Sequence, residues 1–485
     1  MKKLALISVI AVLVVFGNSC ANKGEGQLVG VKDRPTSMDI APFGMAYIPA
    51  GHFLMGAGDE DVPFAFTHQS KNVSISAFWM DETEITNNEY RQFVYWVRDS
   101  IAHVLLGEAD IEDAQKKGHY LKYTSGENEG EVMEPKYINW DEKIDWGSTN
   151  EEVQQALSPL FAKVNSRFYH YRQVDLNVSM LNYEYWTIDY RNYNDPNQES
   201  DPLNPNKATY GASYKEFDQP GNDYGGMFAS RPSSYNKTKE RFLRRHVVNI
   251  YPDTLCWVHD FTYSYNEPMT LNYFAHPNYD HYPVVGITWH QAKAFCYWRT
   301  HLRNCWLASN DYAHEQEFRL PNEAEWEYAA RGDFDMATYP WGSPYTQNIN
   351  GCYLSNFKPQ RGNYIADGNI YPGIVAHYHP NNFGLFDMAG NVAEWCEDAF
   401  DKSAVNFAHD LNSQYSYYAK KSDPTVKKRK VTRGGSWKDI SYYITVFAKS
   451  YEYQDTAKSY VGFRCVQSYV GRQRGDNLQR ASNIY

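Results

Sequence analysis

Apolar positions fall into distinct spacings along this chain, and each change of spacing marks an element. Lys2 and Lys3 precede an apolar run from Leu4 to Phe16, too short to span a bilayer comfortably and closed by small and polar residues before Cys20. That pattern is a secretory h-region. Between Met45 and Gly56 the apolar positions alternate loosely around Pro49 and Gly51, which predicts strand, turn and strand. Thr86 stands three residues before Glu89 as a capping box. Tyr90, Phe93, Val94, Val97, Ile101, Val104 and Leu105 then share one face at 3.6-residue spacing, predicting an amphipathic helix. Thr288 with Gln291 opens a second helix, through about Leu302, and Asn322 with Glu325 a third, closed by Gly332. Trp326 and Tyr328 supply buried surface to the third helix.

From residue 98 to residue 281, a stretch into which the Thr86 helix runs, there is no convincing internal repeat. This region is rich in Tyr, Asn, Asp, Gly and Pro, with a tyrosine-dense stretch from Tyr183 to Tyr193 and a polar run from Asn194 to Glu199. Turn formers beside aromatic anchors read as an ordered insertion laid over a sandwich, because disordered segments lack the aromatics. An insertion of this kind either carries partner-specific function or elaborates the structure. The organisation is therefore a signal peptide at 1–19, a tether at 20–40, a domain at 41–470 interrupted by 98–281, and a tail at 471–485.

Composition narrows the classes of function. A net charge of −11 argues against general binding to nucleic acid or anionic lipid. Aromatic residues reach 16%, largely through 41 tyrosines, which suits a loop-rich core with many buried hydroxyl contacts or a broad protein-binding surface. Of seven cysteines, setting Cys20 aside leaves Cys256, Cys296, Cys305, Cys352, Cys396 and Cys465. None forms a close C-x-x-C pair, so a zinc knuckle is not expected. An oxidising compartment would permit disulfides, and the sequence alone does not choose the partners.

Candidate chemistry centres on Asn381 to Trp395, which reads N-N-F-G-L-F-D-M-A-G-N-V-A-E-W. Asp387 and Glu394 flank Gly390 in an apolar segment that would rarely bury unpaired charge. Two arrangements satisfy them. In one, Asp387 caps backbone N–H groups and Glu394 pairs with an arginine. In the other, a hard cation such as calcium takes carboxylate and carbonyl oxygens together while Gly390 allows the bend. His377 and His379 share a face if extended, which suits either a transition metal or plain surface packing. Lys427, Lys428, Arg429 and Lys430, with Arg433, form either a solvated loop or a contact for an acidic partner.

The stretch from Gly384 to Trp395 resembles the signature of the formylglycine-generating enzyme family, the sulfatase-modifying factor domain. Further motifs follow in that family's order: Phe318 to Gly332, Tyr339-Pro340-Trp341-Gly342, Arg433-Gly434-Gly435-Ser436-Trp437 and Gly462-Phe463-Arg464-Cys465. The opening Met45 to Gly56 is similar too. The resemblance implies an α+β, loop-rich fold of the sulfatase-modifying-factor and C-type-lectin-like kind. It implies one calcium at Asn356, Phe357, Asp367 and Asn369, a second at Asp387, Gly390, Val392 and Glu394, and a disulfide between Cys296 and Cys465. Catalytic members oxidise a substrate cysteine through copper(I) held by two cysteines shortly after R-G-G-S, soft thiolates being the ligands that select Cu(I). Here those positions are Asp439 and Ile444, and no cysteine lies between Cys396 and Cys465, so no copper is expected.

Two classes of function remain: a noncatalytic interaction protein, or an enzyme of different chemistry on the same scaffold. Gly17-Asn18-Ser19-Cys20 resembles a relaxed bacterial lipobox, lacking the usual leucine, which implies acylation at Cys20 and a place on the periplasmic face of the outer membrane. The alternative is ordinary signal cleavage and a soluble periplasmic product. Val31 to Pro35 and the run from Met80 to His103 resemble the lipoproteins of the type IX secretion system that also serve gliding motility. That resemblance implies a ring scaffold, self-associating and assembled with a GldN/PorN-type partner.

Overall fold

Local capping fixes the three principal helices. Thr86 and Glu89 close a reciprocal box, with the Thr86 N–H donating to Glu89 Oε2 at 2.8 Å, at the start of α1 (Asn87–Glu108). Thr288 and Gln291 do the same for α2 (Trp289–Ser309). Glu325 accepts from the Asn322 N–H at 2.9 Å at the head of α3 (Glu323–Arg331), which ends on Gly332 at φ +58°. Helix α2 runs past Leu302 because no Gly or Pro interrupts it before Asn310 and the left-handed Asp311.

The computed structural model describes residues 40–57, 60, 70–109, 118–123, 130–132, 136–161, 176–188, 243–260, 268–420 and 422–470. The signal sequence, Cys20, the polar run from Asn194 to Glu199 and the tail 471–485 lie outside the described residues. Residues Ala41–Tyr469 form one unit. Among the described residues no helix is long and apolar enough to cross a membrane.

The strands in chain order are β1 (Met45–Ile48), β2 (Gly51–Met55), β3 (Lys71–Ile75), β4 (Phe78–Asp81), β5 (Asn182–Ile188), β6 (Leu243–Asn249), β7 (Phe318–Arg319), β8 (Ala393–Ala399), β9 (Arg429–Arg433), β10 (Lys449–Tyr453), β11 (Val461–Gly462) and β12 (Val466–Ser468). They make a sheet of order β1-β4-β12-β7, a second of order β10-β9-β8-β11, and two ribbons, β2-β3 and β5-β6. β11 lies parallel to β8 and the other pairs are antiparallel. The two strands expected between Met45 and Gly56 both form, yet they pair with β4 and β3 and not with each other. Strand β12 sits between β4 and β7, so the end of the unit closes the sheet that its beginning opens.

The apolar face of α1 packs against α2. Tyr90 stacks on Phe295 with centroids 5.6 Å apart, and Phe93 meets Trp298 at 5.2 Å. The β5-β6 ribbon of the insertion drives aromatics into this same layer: Tyr183 lies edge-on to Phe93 at 5.2 Å and Tyr185 stacks on Tyr297 at 4.5 Å. Both tyrosines are buried, so this part of the insertion completes the core instead of lying over it. On the other side, Trp326, Ala329 and Ala330 of α3 pack with Phe53, Met80 and Val431.

Candidate functional site

Between α3 and β8 the chain has little regular structure, and its last turn is built from left-handed residues. Asp387 (φ +56°), Gly390 (φ +77°) and Asn391 (φ +61°) coil the segment just before β8. Asp and Asn tolerate that conformation through local side-chain hydrogen bonds. Gly390 has a second requirement, because a Cβ there would stand 2.3 Å from the Asn356 carbonyl oxygen. The Asn381 side chain anchors the segment by donating to Ala329 O at 2.7 Å at the end of α3.

The carboxylates of this turn are buried. Glu394 is gripped by Arg464, with Oε1 to Nη2 and Oε2 to Nε both 2.7 Å, and Oε2 also accepts from Trp326 Nε1 at 2.7 Å. Asp387 Oδ2 accepts from the Ala376 N–H at 2.7 Å. The capped turn and the arginine pair, one of the two arrangements open to the sequence, are therefore both present. A third carboxylate joins them. Glu84 is fully buried and accepts from Asn391 Nδ2 at 2.6 Å and from the Val392 N–H at 3.1 Å. Burial, then repulsion from Asp387 and Glu394, pushes its carboxyl well above the usual range. Burial likewise raises Asp387. Three carboxyl groups thus share one guanidinium, and only Glu394 is paired with it directly.

A neighbouring loop gathers the other set. Asp367 accepts from the Phe357 N–H at 2.8 Å and the Asn369 N–H at 3.3 Å. Asn356 donates through Nδ2 to Tyr371 O at 3.0 Å and Asn391 Oδ1 at 3.2 Å. Its Oδ1 is buried and has no hydrogen-bond partner among the described residues. A buried acceptor oriented by its own amide and left unmatched suits a hard cation. The structure therefore brings Asn356, Phe357, Asp367 and Asn369 together on one loop, and Asp387, Gly390, Val392 and Glu394 on the next turn with Glu84. Sequence reading missed Glu84. It has no periodic signal of its own, and its contacts lie more than 300 residues away.

The loop after β9 carries Asp439 and Ile444. Arg433, buried, donates to Val446, Phe447 and Ala448 carbonyls at 3.2, 2.8 and 3.1 Å and to Glu327 Oε2 at 2.6 Å, which pins the loop back on itself. Ser436 Oγ donates to Asp439 Oδ2 at 2.7 Å, and burial raises the Asp439 carboxyl. Ile444 is fully buried among Tyr339, Phe357 and Ala389. Trp257, from the insertion, stacks over Trp437 at 6.4 Å.

The remaining candidates are placed as follows. Cys296 and Cys465 are buried, and their sulfurs touch at 3.6 Å as two thiols. His377 and His379 are exposed, and among the described residues no group of three or more His, Cys, Asp or Glu is arranged to hold a metal. The basic run is not a free patch: Lys430 and Arg433 are buried, Arg429 lies 4.2 Å from the Tyr451 ring, and Lys428 approaches Asp455 at 3.8 Å.

Residues 34–163 and 214–469 match the FGE-sulfatase family, the sulfatase-modifying factor enzyme 1-like domain. The chain belongs to that family. The match leaves out 164–213, inside the stretch 98–281 that the motifs set apart. This family member is 32% identical over 195 residues to a formylglycine-generating enzyme of Streptomyces coelicolor, covering 38% of this chain and 52% of that one. It is 30% identical over 200 residues to the inactive C-alpha-formylglycine-generating enzyme 2 of Mus musculus, covering 40% and 51%. The chain thus spans about half the length of the curated relatives it matches, which include both active and inactive proteins. Among solved structures, PvdO from Pseudomonas aeruginosa aligns over 90% of this chain and 99% of its own at 14% identity, with a TM-score of 0.41.

Proposed function

We propose that this sulfatase-modifying-factor domain is noncatalytic and serves as a lipid-anchored scaffold on the periplasmic face of the outer membrane. In this reading it has the role of the gliding-motility lipoprotein GldK, called PorK in nonmotile bacteria, and builds a periplasmic ring of the type IX secretion system with a GldN/PorN-type partner. The observation that carries the noncatalytic part is Ile444. A saturated side chain sealed among Tyr339, Phe357 and Ala389 cannot ligate metal, and Asp439 is a hard ligand where Cu(I) needs sulfur. The existence of inactive relatives supports it. The type IX reading rests on the resemblance of Val31 to Pro35 and Met80 to His103, and on the lipobox at Cys20.

Deleting the gene is expected to abolish cargo export while leaving sulfatase maturation intact, as read by secretome analysis and sulfatase activity. Purified protein supplied with Cu(I), oxygen and a cysteine-bearing peptide is expected to give no aldehyde by mass spectrometry. Aldehyde formation would end the scaffold reading.

Calcium is proposed at both sites, Asn356, Phe357, Asp367 and Asn369 holding one ion and Asp387, Gly390, Val392 and Glu394 the other. Bound calcium would supply positive charge to buried oxygens and staple the loops that flank β8. Chelation is therefore expected to lower the unfolding temperature. An ion present at a hundred times its dissociation constant stabilises the native state by about 2.7 kcal/mol. An unchanged melting curve, together with no calcium in metal analysis of the folded protein, would defeat both assignments.

A further inference from the structure

We propose that the two candidate calcium sites are coupled, and that the Asn391 side chain is the relay between them. The inference rests on the calcium reading and goes beyond it. Asn391 is buried and sits at φ +61°, so its amide has a fixed direction. At one end, Oδ1 accepts from Asn356 Nδ2 at 3.2 Å and from the Gly373 N–H at 2.7 Å. At the other, Nδ2 donates to Glu84 Oε2 at 2.6 Å, and Glu84 Oε1 holds the Val392 N–H at 3.1 Å. One planar amide therefore joins Asn356, of the first candidate set, whose Oδ1 is unmatched among the described residues, to Glu84, which holds the Val392 N–H of the second.

Backbone contacts make the link stiff. The Asn391 N–H donates to Asn356 O at 2.8 Å, and the Gly390 Cα lies against that same carbonyl with no room for a Cβ. The Asn391 carbonyl accepts from the Trp437 N–H at 2.9 Å. An ion drawing on Asn356 Oδ1 fixes the Asn356 amide plane, which fixes Asn391, which in turn orients Glu84 and the Val392 peptide. The ordering of both loops is then needed once, for whichever ion arrives first. The second ion meets a preformed site, so the coupling is positive, and by linkage it is the same in either direction.

The test is calcium titration by calorimetry of the detergent-solubilised full chain after chelation, for wild type, Asp367→Asn, Asn391→Gly and the double variant. Glycine keeps the left-handed backbone of position 391 while removing the amide. Disabling the first site with Asp367→Asn is expected to weaken calcium at the remaining site by roughly 5–150-fold, the usual span of coupling between sites. In the Asn391→Gly background the same change is expected to alter the remaining affinity less than about twofold, since the relay is gone. Should Asn391→Gly fail to fold, the wild-type isotherm still decides, a Hill coefficient above one supporting the relay. A Hill coefficient of one with no effect of Asp367→Asn would overturn the coupling and leave the calcium reading standing. No calcium bound to wild type would overturn both.

Discussion

Replacing Arg464 with leucine is expected to destabilise the protein by about 3–5 kcal/mol, the cost of stranding one member of a buried ion pair. Arg464 is fully buried and grips both oxygens of Glu394. It also donates to Asp81 O at 3.0 Å and Phe386 O at 2.9 Å, so it ties β4, the signature turn and β8 together. The guanidinium serves more than one acid, because Glu84 and Asp387 also feel its charge. Without it Glu394 is left as an unpaired buried carboxylate beside Glu84 and Asp387, whose carboxyls burial already raises. Urea denaturation measures the effect as a lower midpoint at unchanged slope. The pair Glu394→Gln with Arg464→Leu is expected to recover part of the loss, because it removes the stranded charge along with its partner. A single-variant loss under about 1 kcal/mol would mean that Glu394 is neutralised by something other than Arg464. Calcium separates those cases: a cost that grows on chelation assigns the remaining neutralisation to the ion.

This network explains which parts of the fold were legible in the sequence. Thr86 with Glu89, and Thr288 with Gln291, announced their helices because a capping box is complete within four residues. Tyr90, Phe93, Val94 and Val97 announced the buried face because helical periodicity repeats locally. Asp387 and Glu394 stood out as acids in an apolar run, and both are held as such acids must be. Glu84 did not stand out. Its neighbours Glu82 and Ile85 give no pattern, and its partners Asn391 and Val392 are close only in the folded chain. Strand pairing was hidden for the same reason: β1 and β2 are adjacent in sequence, but the turn at Pro49 sends them to different partners. Tyr183 and Tyr185 were read as anchors of an insertion lying over the domain, whereas they complete the core beneath α1 and α2. Composition reports that an aromatic will be buried but not against which layer.

In an oxidising compartment Cys296 and Cys465 are expected to be joined. Their sulfurs already touch at 3.6 Å, and each residue is tethered: Cys296 O accepts from Thr300 Oγ1 at 2.8 Å, and the Cys465 N–H donates to Asp81 Oδ2 at 2.8 Å. A disulfide would draw those sulfurs together to about 2.05 Å. Burial drives the Cys465 thiol well above its ordinary pKa, which leaves almost no thiolate in the folded protein and makes exchange there slow. The bridge is therefore expected to form during folding, before α2 and the strand end close over it. It spans 169 positions, and in the chain-entropy view a loop of that size stabilises by about 5 kcal/mol. Non-reducing peptide mapping should recover the Cys296 and Cys465 peptides linked. Reductant should lower the denaturation midpoint of wild type but not of the Cys296→Ala, Cys465→Ala double variant. Alkylation of both thiols in denaturant without reductant would show that the pair stays reduced. The contact between α2 and the β11–β12 connection would then rest on noncovalent packing, as where the Phe295 and Phe463 rings meet edge-on at 5.3 Å.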